Sequence, residues 1–273
     1  MKSTMKKVST ATMLFAALTL LASVASATPV LYGVTGAGNA PSSLYTVDPV
    51  SGTTTLIGAT GFSHVTGIDF DPTTGILYGV VSDLFDSETA DLITINPSTG
   101  AGTVVGPTGN QIPDVTIGPD GILRGWTENS DDPIVIDTST GAVTVTSSDL
   151  NTSNTGVAFE SLTSIYVKPG SDLFSVDVTT GVATSLFGAG LGVSASNILE
   201  NAPDGTLLTG FRDGSGTQFY RIDVGSTTTT ALGLAPVAFS AVAYSVAVPE
   251  PSSLLLLGAG LVGLAAWRRI HAA

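Results

Sequence analysis

Val65-Thr66-Gly67-Ile68-Asp69-Phe70-Asp71-Pro72-Thr73-Thr74-Gly75-Ile76-Leu77-Tyr78-Gly79-Val80-Val81 reads as two short strands around a tight turn. Its β-branched and aromatic residues suit a pleated, half-buried surface, and its Pro and Gly suit a turn. Three relatives follow: Val115–Gly121 before Ile122–Trp126, Thr155–Phe159 before Ser164–Val167, and Asn197–Gly205 before Thr206–Phe211. Five hairpins alternate with these pairs, at Leu44–Gly52, Leu92–Gly100, Ile134–Gly141, Leu173–Gly181 and Phe219–Gly225. In each, an Asp or Asn can bond backbone donors two residues on, and glycine accepts positive φ.

A period of about 40 to 50 residues with four short strands per unit predicts β-propeller blades. With the strand at Val65 innermost, the blades run over 65–106, 115–147, 155–187 and 196–232, each with strands a, b, c and d from the axis outward. A lone inner strand, Phe239–Val246, is left at the end, and Val30–Thr35, Leu44–Asp48 and Thr54–Gly58 are left at the start as b, c and d. Together they make a fifth blade, so the expectation is an all-β, five-bladed propeller closed by N-terminal strands pairing with the C-terminal strand. A sandwich or solenoid shares this strand spacing, and pairing of the first strand with the last separates the ring from both. The layout resembles the YVTN, NHL and WD40 classes of propeller, although the Trp-Asp dipeptide is absent.

The two ends read as transport segments around this domain of residues 28–247. Lys2, Lys6 and Lys7 precede an apolar centre, Met13–Val24, and Ala25-Ser26-Ala27 fits the small-residue pattern that signal peptidase cuts after. Residues 1–27 are thus expected to form a signal helix, with Ala25 and Ala27 as the recognised small residues and a single cut before Thr28. At the other end Pro249-Glu250-Pro251 leads into an apolar run, Leu254–Trp267, and then Arg268-Arg269. That run is short for a permanent helical span, which takes about 20 apolar residues, and the arginines should hold the extreme C-terminus in the cytoplasm. This three-part tail, residues 248–273, resembles the PEP-CTERM sorting signal of Gram-negative bacteria. The resemblance implies that Pro249, Glu250 and Pro251 are recognised by an exosortase and that the apolar run is a transient transmembrane helix. It also implies that Arg268 and Arg269 are the stop. The protein then transits the inner membrane to the cell surface or extracellular matrix.

Composition narrows the function classes. No cysteine is present, which excludes thiol nucleophiles, disulfides and thiolate metal sites. The formal charge is −13, and only Arg124, Lys168, Arg212 and Arg221 supply positive charge between the two transport segments, a balance that disfavours nucleic acid and anionic lipid. A serine triad would need His64, the sole histidine before the tail, and no G-x-S-x-G elbow surrounds a serine. No cofactor motif is recognisable.

Loops on a rigid scaffold carry function, and the d–a and b–c connections vary most between units. The candidate binding face therefore comprises His64, Asp83, Asp86, Glu88, Asp91, Asp114, Trp126, Asp131, Asp132 and Arg212. Carboxylates from separate loops would suit Ca²⁺, although no D-x-D-x-D-G loop is present. Trp126 would suit stacking on a sugar. The function expected is binding or structural, toward extracellular polysaccharide or surface proteins, with signal peptidase and exosortase as processing partners. Alternatives are a secreted hydrolase of polysaccharide or lactone, which needs two carboxylates across the axial mouth, and a calcium-dependent adhesin.

Overall fold

Apolar and polar residues over three to ten positions, broken by glycine, asparagine and aspartate turns, fold here as short antiparallel strands. The structure, a computed structural model, describes residues 28–246 except 37, 39, 83–89, 129, 148–154, 189 and 194–196. The expected signal and C-terminal helices lie outside the described residues. Among the described residues there are twenty strands in five four-stranded sheets, and no helix long and apolar enough to cross a membrane.

Each sheet is one blade. The first full blade is β4 (Val65–Phe70), β5 (Leu77–Val81), β6 (Asp91–Ile95) and β7 (Gly102–Pro107). The second is β8 (Val115–Ile117), β9 (Leu123–Trp126), β10 (Pro133–Ile136) and β11 (Val143–Val145). The third is β12 (Thr155–Ser161), β13 (Ser164–Pro169), β14 (Phe174–Asp177) and β15 (Ala183–Ser185). The fourth is β16 (Leu199–Asn201), β17 (Leu207–Arg212), β18 (Thr217–Asp223) and β19 (Thr228–Ala235). The fifth takes β20 (Ala241–Tyr244) from the end of the domain and β1 (Leu31–Val34), β2 (Pro41–Val47) and β3 (Thr54–Ser63) from its start, in the order β20-β1-β2-β3. Leu31 pairs with Tyr244 and Val34 with Ala241. The blades remain separate open sheets; what this pairing closes is the ring.

Five hydrophobic clusters fill the five gaps between neighbouring blades. Val34 and Leu44 of the fifth blade meet Ile68, Leu77 and Ile93 of the first. Tyr78 and Leu92 meet Leu123 and Ile134 across the next gap, and Trp126 meets Val157 and Ile165 across the one after. Ala158 and Leu173 meet Leu207 and Ile222, and Phe219 meets Leu31, Val47 and Phe239. A blade therefore has no core of its own, and its apolar surface is removed from water only by its neighbours.

Hairpin turns follow the expected chemistry. Asp48 accepts from Val50 N at 2.9 Å, Asn96 from Ser98 N at 2.8 Å, Asp137 from Ser139 N at 2.8 Å and Asp177 from Thr179 N at 2.9 Å. The fifth hairpin departs from its expectation. There Gly225 keeps ordinary φ and Thr227 takes the left-handed conformation at φ 52°, a strained choice for a β-branched residue.

Gly58 and Gly106, expected to end outer strands, do something else, and Gly233 behaves like them. β3 continues past Gly58 to Ser63 and β19 past Gly233 to Ala235, because Ile57 and Leu232 are extra residues in bulges that the partner strand does not match. Val105 is the extra residue in β7, next to Gly106. Each bulge turns its apolar residue into the gap between blades, where Ile57, Val105 and Leu232 pack on the clusters. Each glycine meets the turn of the next blade: a Cβ on Gly58 would lie 2.2 Å from the Thr99 carbonyl oxygen, and one on Gly106 would lie 2.1 Å from that of Thr140.

Polar side chains stitch the blades at the axis. Asp69 accepts from Ile117 N at 2.6 Å, Asp114 from Val157 N at 3.0 Å and Glu200 from Tyr244 N at 3.0 Å. Asn201 Nδ2 donates to the Phe159 carbonyl at 2.9 Å, and Ser240 Oγ donates to the Val65 carbonyl at 2.7 Å. Every neighbouring pair of blades is thus bridged near the axis. Burial pushes Asp69 up to about 7 and raises Asp114 and Glu200 well above the usual carboxylate range, and mutual repulsion among the three adds to the effect.

Two measurements test this architecture. Gly106→Val should destabilise the protein by about 3 kcal/mol or more in denaturant titration, because backbone must move to admit the side chain. Gly188→Ala, where a Cβ meets nothing within 4 Å, should stay within about 0.5 kcal/mol.

The second concerns pH. The unfolded chain releases the three axial protons near pH 4, while the folded ring keeps them to about pH 7 for Asp69, so stability falls as pH rises through this window. Turn carboxylates such as Asp48, Asp71 and Asp204 are held low by hydrogen bonds, and their contribution is lost below about pH 4. Lys168, lowered by burial to about 8, gives a slope of opposite sign only above pH 8. The melting temperature should therefore be higher at pH 5 than at pH 7.5, by roughly 5 °C or more. Glu200→Gln, which keeps an oxygen for Tyr244 N, should reduce that difference.

Candidate functional site

The inner strand β4 runs between two clefts at opposite ends of the axis. It begins beside His64 and Thr66, which line a cleft of about 250 Å³, and ends at Asp69 and Phe70, which line another of about 220 Å³. The first cleft is built by the d–a and b–c connections and the strand ends next to them. Gly38 comes from between β1 and β2, His64 from between β3 and β4, and Gln111 to Pro113 from between β7 and β8. Ser82 and Glu128 follow β5 and β9, Asn197 precedes β16, Arg212 ends β17 and Ser240 precedes β20.

His64 is the whole connection between β3 and β4, and it makes the turn at φ 52°. A left-handed residue that is not glycine costs free energy, so surrounding bonds must hold it. His64 N donates to the Ala40 carbonyl at 3.1 Å, its own carbonyl accepts from Ser82 N at 3.1 Å, and its Nδ1 pairs with the Ser82 carbonyl. The imidazole is thereby pinned by Nδ1, with Nε2 left for another partner.

Hydroxyl groups knit the floor. Thr66 Oγ1 donates to the Ile112 carbonyl at 2.6 Å, and Ile112 N donates to Ser82 Oγ at 3.1 Å. Ser240 Oγ donates to the carbonyls of Val34 and Val65 at 3.0 and 2.7 Å. Glu128 N donates to the Gln111 carbonyl at 2.8 Å, tying two rim loops together. Thr66 and Ser240 were missed in the sequence because single Thr and Ser in or beside strands read as ordinary pleat residues, whereas Ser82, Gln111 and Glu128 lie in the b–c and d–a connections expected to form the face.

Arg212 stands apart from the other cations of the domain. Arg124 is paired with Asp120 through both guanidinium nitrogens, at 3.1 and 2.7 Å, and lies 5.6 Å from the Phe159 ring. Arg221 pairs with Asp204 at 3.2 Å, and Lys168 Nζ donates to the Gly170 carbonyl at 2.8 Å. Among the described residues neither a carboxylate nor a carbonyl pairs with the Arg212 guanidinium. Partial burial lowers it from its usual value, and it remains a cation at neutral pH.

The other candidates fall elsewhere. Asp114 was expected on the rim and is instead 3% exposed at the axis, where its carboxylate holds Val157 N. The reason is that Pro113-Asp114 leads directly into β8, so the side chain enters the channel. Trp126 was expected to offer its ring to a sugar but is 0% exposed, packed against Val157 and Ile165 between blades. Asp91 opens β6 opposite Pro107. Asp131 and Asp132 form the turn after β9, where Thr127 N donates to the Asp132 carbonyl at 3.0 Å, and they do not line the cleft. Asp83, Asp86 and Glu88 lie outside the described residues, as do Ala25, Ala27, Pro249, Glu250, Pro251, Arg268 and Arg269. Among the described residues no group of three or more His, Asp or Glu is placed to hold a metal ion.

The second cleft brings Asp69 and Glu200 to one mouth with Asn201 and Tyr244. Two carboxylates with raised pKa on one mouth are what a glycosidase requires. Here each is less than a tenth exposed, at 7% and 6%, and each holds a backbone N–H of the next blade. Their geometry is that of a latch.

Comparison with known proteins agrees with this architecture. Residues 247–270 match the PEP-CTERM protein-sorting motif. No curated protein sequence matches the chain. Among solved structures, a chain of the nidogen/laminin complex is 10% identical, with 80% of this chain covering 98% of that one at a TM-score of 0.53. A structural genomics protein of unknown function from Bacteroides thetaiotaomicron is 15% identical, with 77% of this chain covering 59% of that one at 0.52. TolB from Acinetobacter baumannii is 15% identical at a TM-score of 0.45, and the chain spans about half of its length, 52%. At such identities the first two likenesses concern fold alone. The motif marks an exported protein that transits the membrane and is processed by exosortase. The chain thus carries a five-bladed β-propeller followed by a PEP-CTERM protein-sorting motif.

Proposed function

We propose that the propeller is a binding module displayed at the cell surface or in the extracellular matrix of a Gram-negative bacterium, with its ligand in the cleft between His64 and Arg212. One observation carries this reading: the cleft is assembled from the irregular connections of all the blades but the third, over a scaffold of uniform strands. Residues 1–27 act as a signal peptide cut after Ala27, and Leu254–Trp267 acts as an anchor until exosortase processes the tail. Extracellular polysaccharide is a ligand class that suits a small cleft lined by hydroxyl, amide and imidazole groups, which pair with sugar hydroxyls.

Retention of exopolysaccharide by immobilised full-length protein in detergent tests the binding reading. Asn197→Trp, which fills the cleft, should reduce retention about tenfold or more, and equal retention by the two proteins would overturn it. Delivery is tested separately by following surface exposure in cells. Glu250→Ala and deletion of Leu254–Trp267 should each alter processing or delivery while the melting transition of the purified protein stays unchanged, and unaltered delivery in both variants would refute the role of the tail.

A further inference from the structure

The folded domain is acidic throughout. Of 22 Asp and Glu residues all but Glu250 lie within it, against the four cations named above. In such a field a lone arginine is expected to find a carboxylate, as Arg124 and Arg221 do. Among the described residues Arg212 does not, although it is half-buried at the end of β17 and lines the axial cleft.

Two more groups in the same cleft lack partners among the described residues. The side-chain amide of Asn197 makes no hydrogen bond, and His64 uses only Nδ1. A guanidinium, an amide and an imidazole nitrogen therefore converge on about 250 Å³ of space whose floor hydroxyls are already spent on backbone carbonyls. Partly desolvated donors without acceptors are costly, and a ligand that supplies acceptors recovers that cost. The planar fork of arginine matches a carboxylate with two parallel bonds. The amide and imidazole match hydroxyl groups, which can both donate and accept.

We infer that this cleft takes a hydroxylated carboxylate, a single uronate residue of an acidic polysaccharide, with Arg212 on the carboxylate and Asn197 and His64 on the ring hydroxyls. The inference rests on the reading of the cleft as the binding site and adds the ligand's charge and chemistry. The volume admits one small group, being below the roughly 300–1,000 Å³ of sites for larger ligands. The negative surface around the cleft lowers affinity for a free polyanion, so the selectivity arises at Arg212 and not from long-range attraction.

The test uses full-length protein in detergent and three probes: tri-galacturonate, neutral galactotriose and tri-glutamate. Tri-galacturonate should bind about tenfold or more tightly than either of the others. Arg212→Gln should abolish that preference while leaving the melting temperature unchanged, and Arg212→Lys should keep part of it. Equal binding of galactotriose, equal binding of tri-glutamate, undetectable tri-galacturonate binding, or an Arg212→Gln variant that behaves as the wild type would each overturn the inference. Galactotriose binding that is lost in Asn197→Ala would leave the cleft as the site and remove only the carboxylate. Tri-galacturonate binding that survives both Arg212→Gln and Asn197→Ala would place binding outside the cleft, and both readings would fall.

Discussion

The pairing of β1 with β20 joins residues more than 200 positions apart, from Leu31 opposite Tyr244 to Val34 opposite Ala241. Without it the chain is an open row of four blades with an apolar flank at each end, because every hydrophobic cluster is shared between neighbours. With it, Leu31, Val47 and Phe239 seal against the fourth blade, and Val34 and Ala241 against the first. Ring closure therefore couples the blades into one cooperative unit, in contrast to an open repeat array whose ends are free to fray. It also gives β20 and β1 a strand partner, so that neither is left as a single unpaired strand.

The ring has two kinds of seam, placed at different radii. Toward the outside, apolar residues forced inward by bulges at Ile57, Val105 and Leu232 plug the gaps, and glycines let the next blade's turn approach. β11 and β15, three residues each and without a bulge, lack this device, so two of the five outer seams rest on other packing. At the axis the strands crowd together and their side chains face one another, which leaves little room for bulky apolar residues. Short polar side chains that reach the neighbouring backbone fill that role, and burial keeps Asp69, Asp114 and Glu200 in the protonated form to higher pH than exposed carboxylates.

The same closure makes the cleft. His64, Gln111, Asn197 and Ser240 are far apart in the chain, and each sits where one blade hands over to the next. Their spacing is the spacing of the inner strands, so a change in blade number would disperse them. The ring thus places a small polar pocket at the mouth of its axis, on a chain that carries an export-sorting tail.

By itself the sequence determined the blades, the strand inventory and the tail, because these depend on local periodicity, turn chemistry and hydropathy. The hairpin aspartates behave as expected since their partners lie two residues away. The errors share one cause: they concern residues whose partner is distant in sequence. Gly58 and Gly106 read as strand ends, and only contact with the next blade reveals them as bulge glycines. Asp114 read as a rim carboxylate and Trp126 as an exposed ring, although the first serves Val157 of the next blade and the second fills the gap beside it. That Arg212 finds no carboxylate among the described residues was equally invisible, for it depends on where side chains distant in sequence come to lie. Tertiary structure alone decided these roles, since burial and pairing across a blade interface are set by the ring and not by any stretch of neighbouring residues.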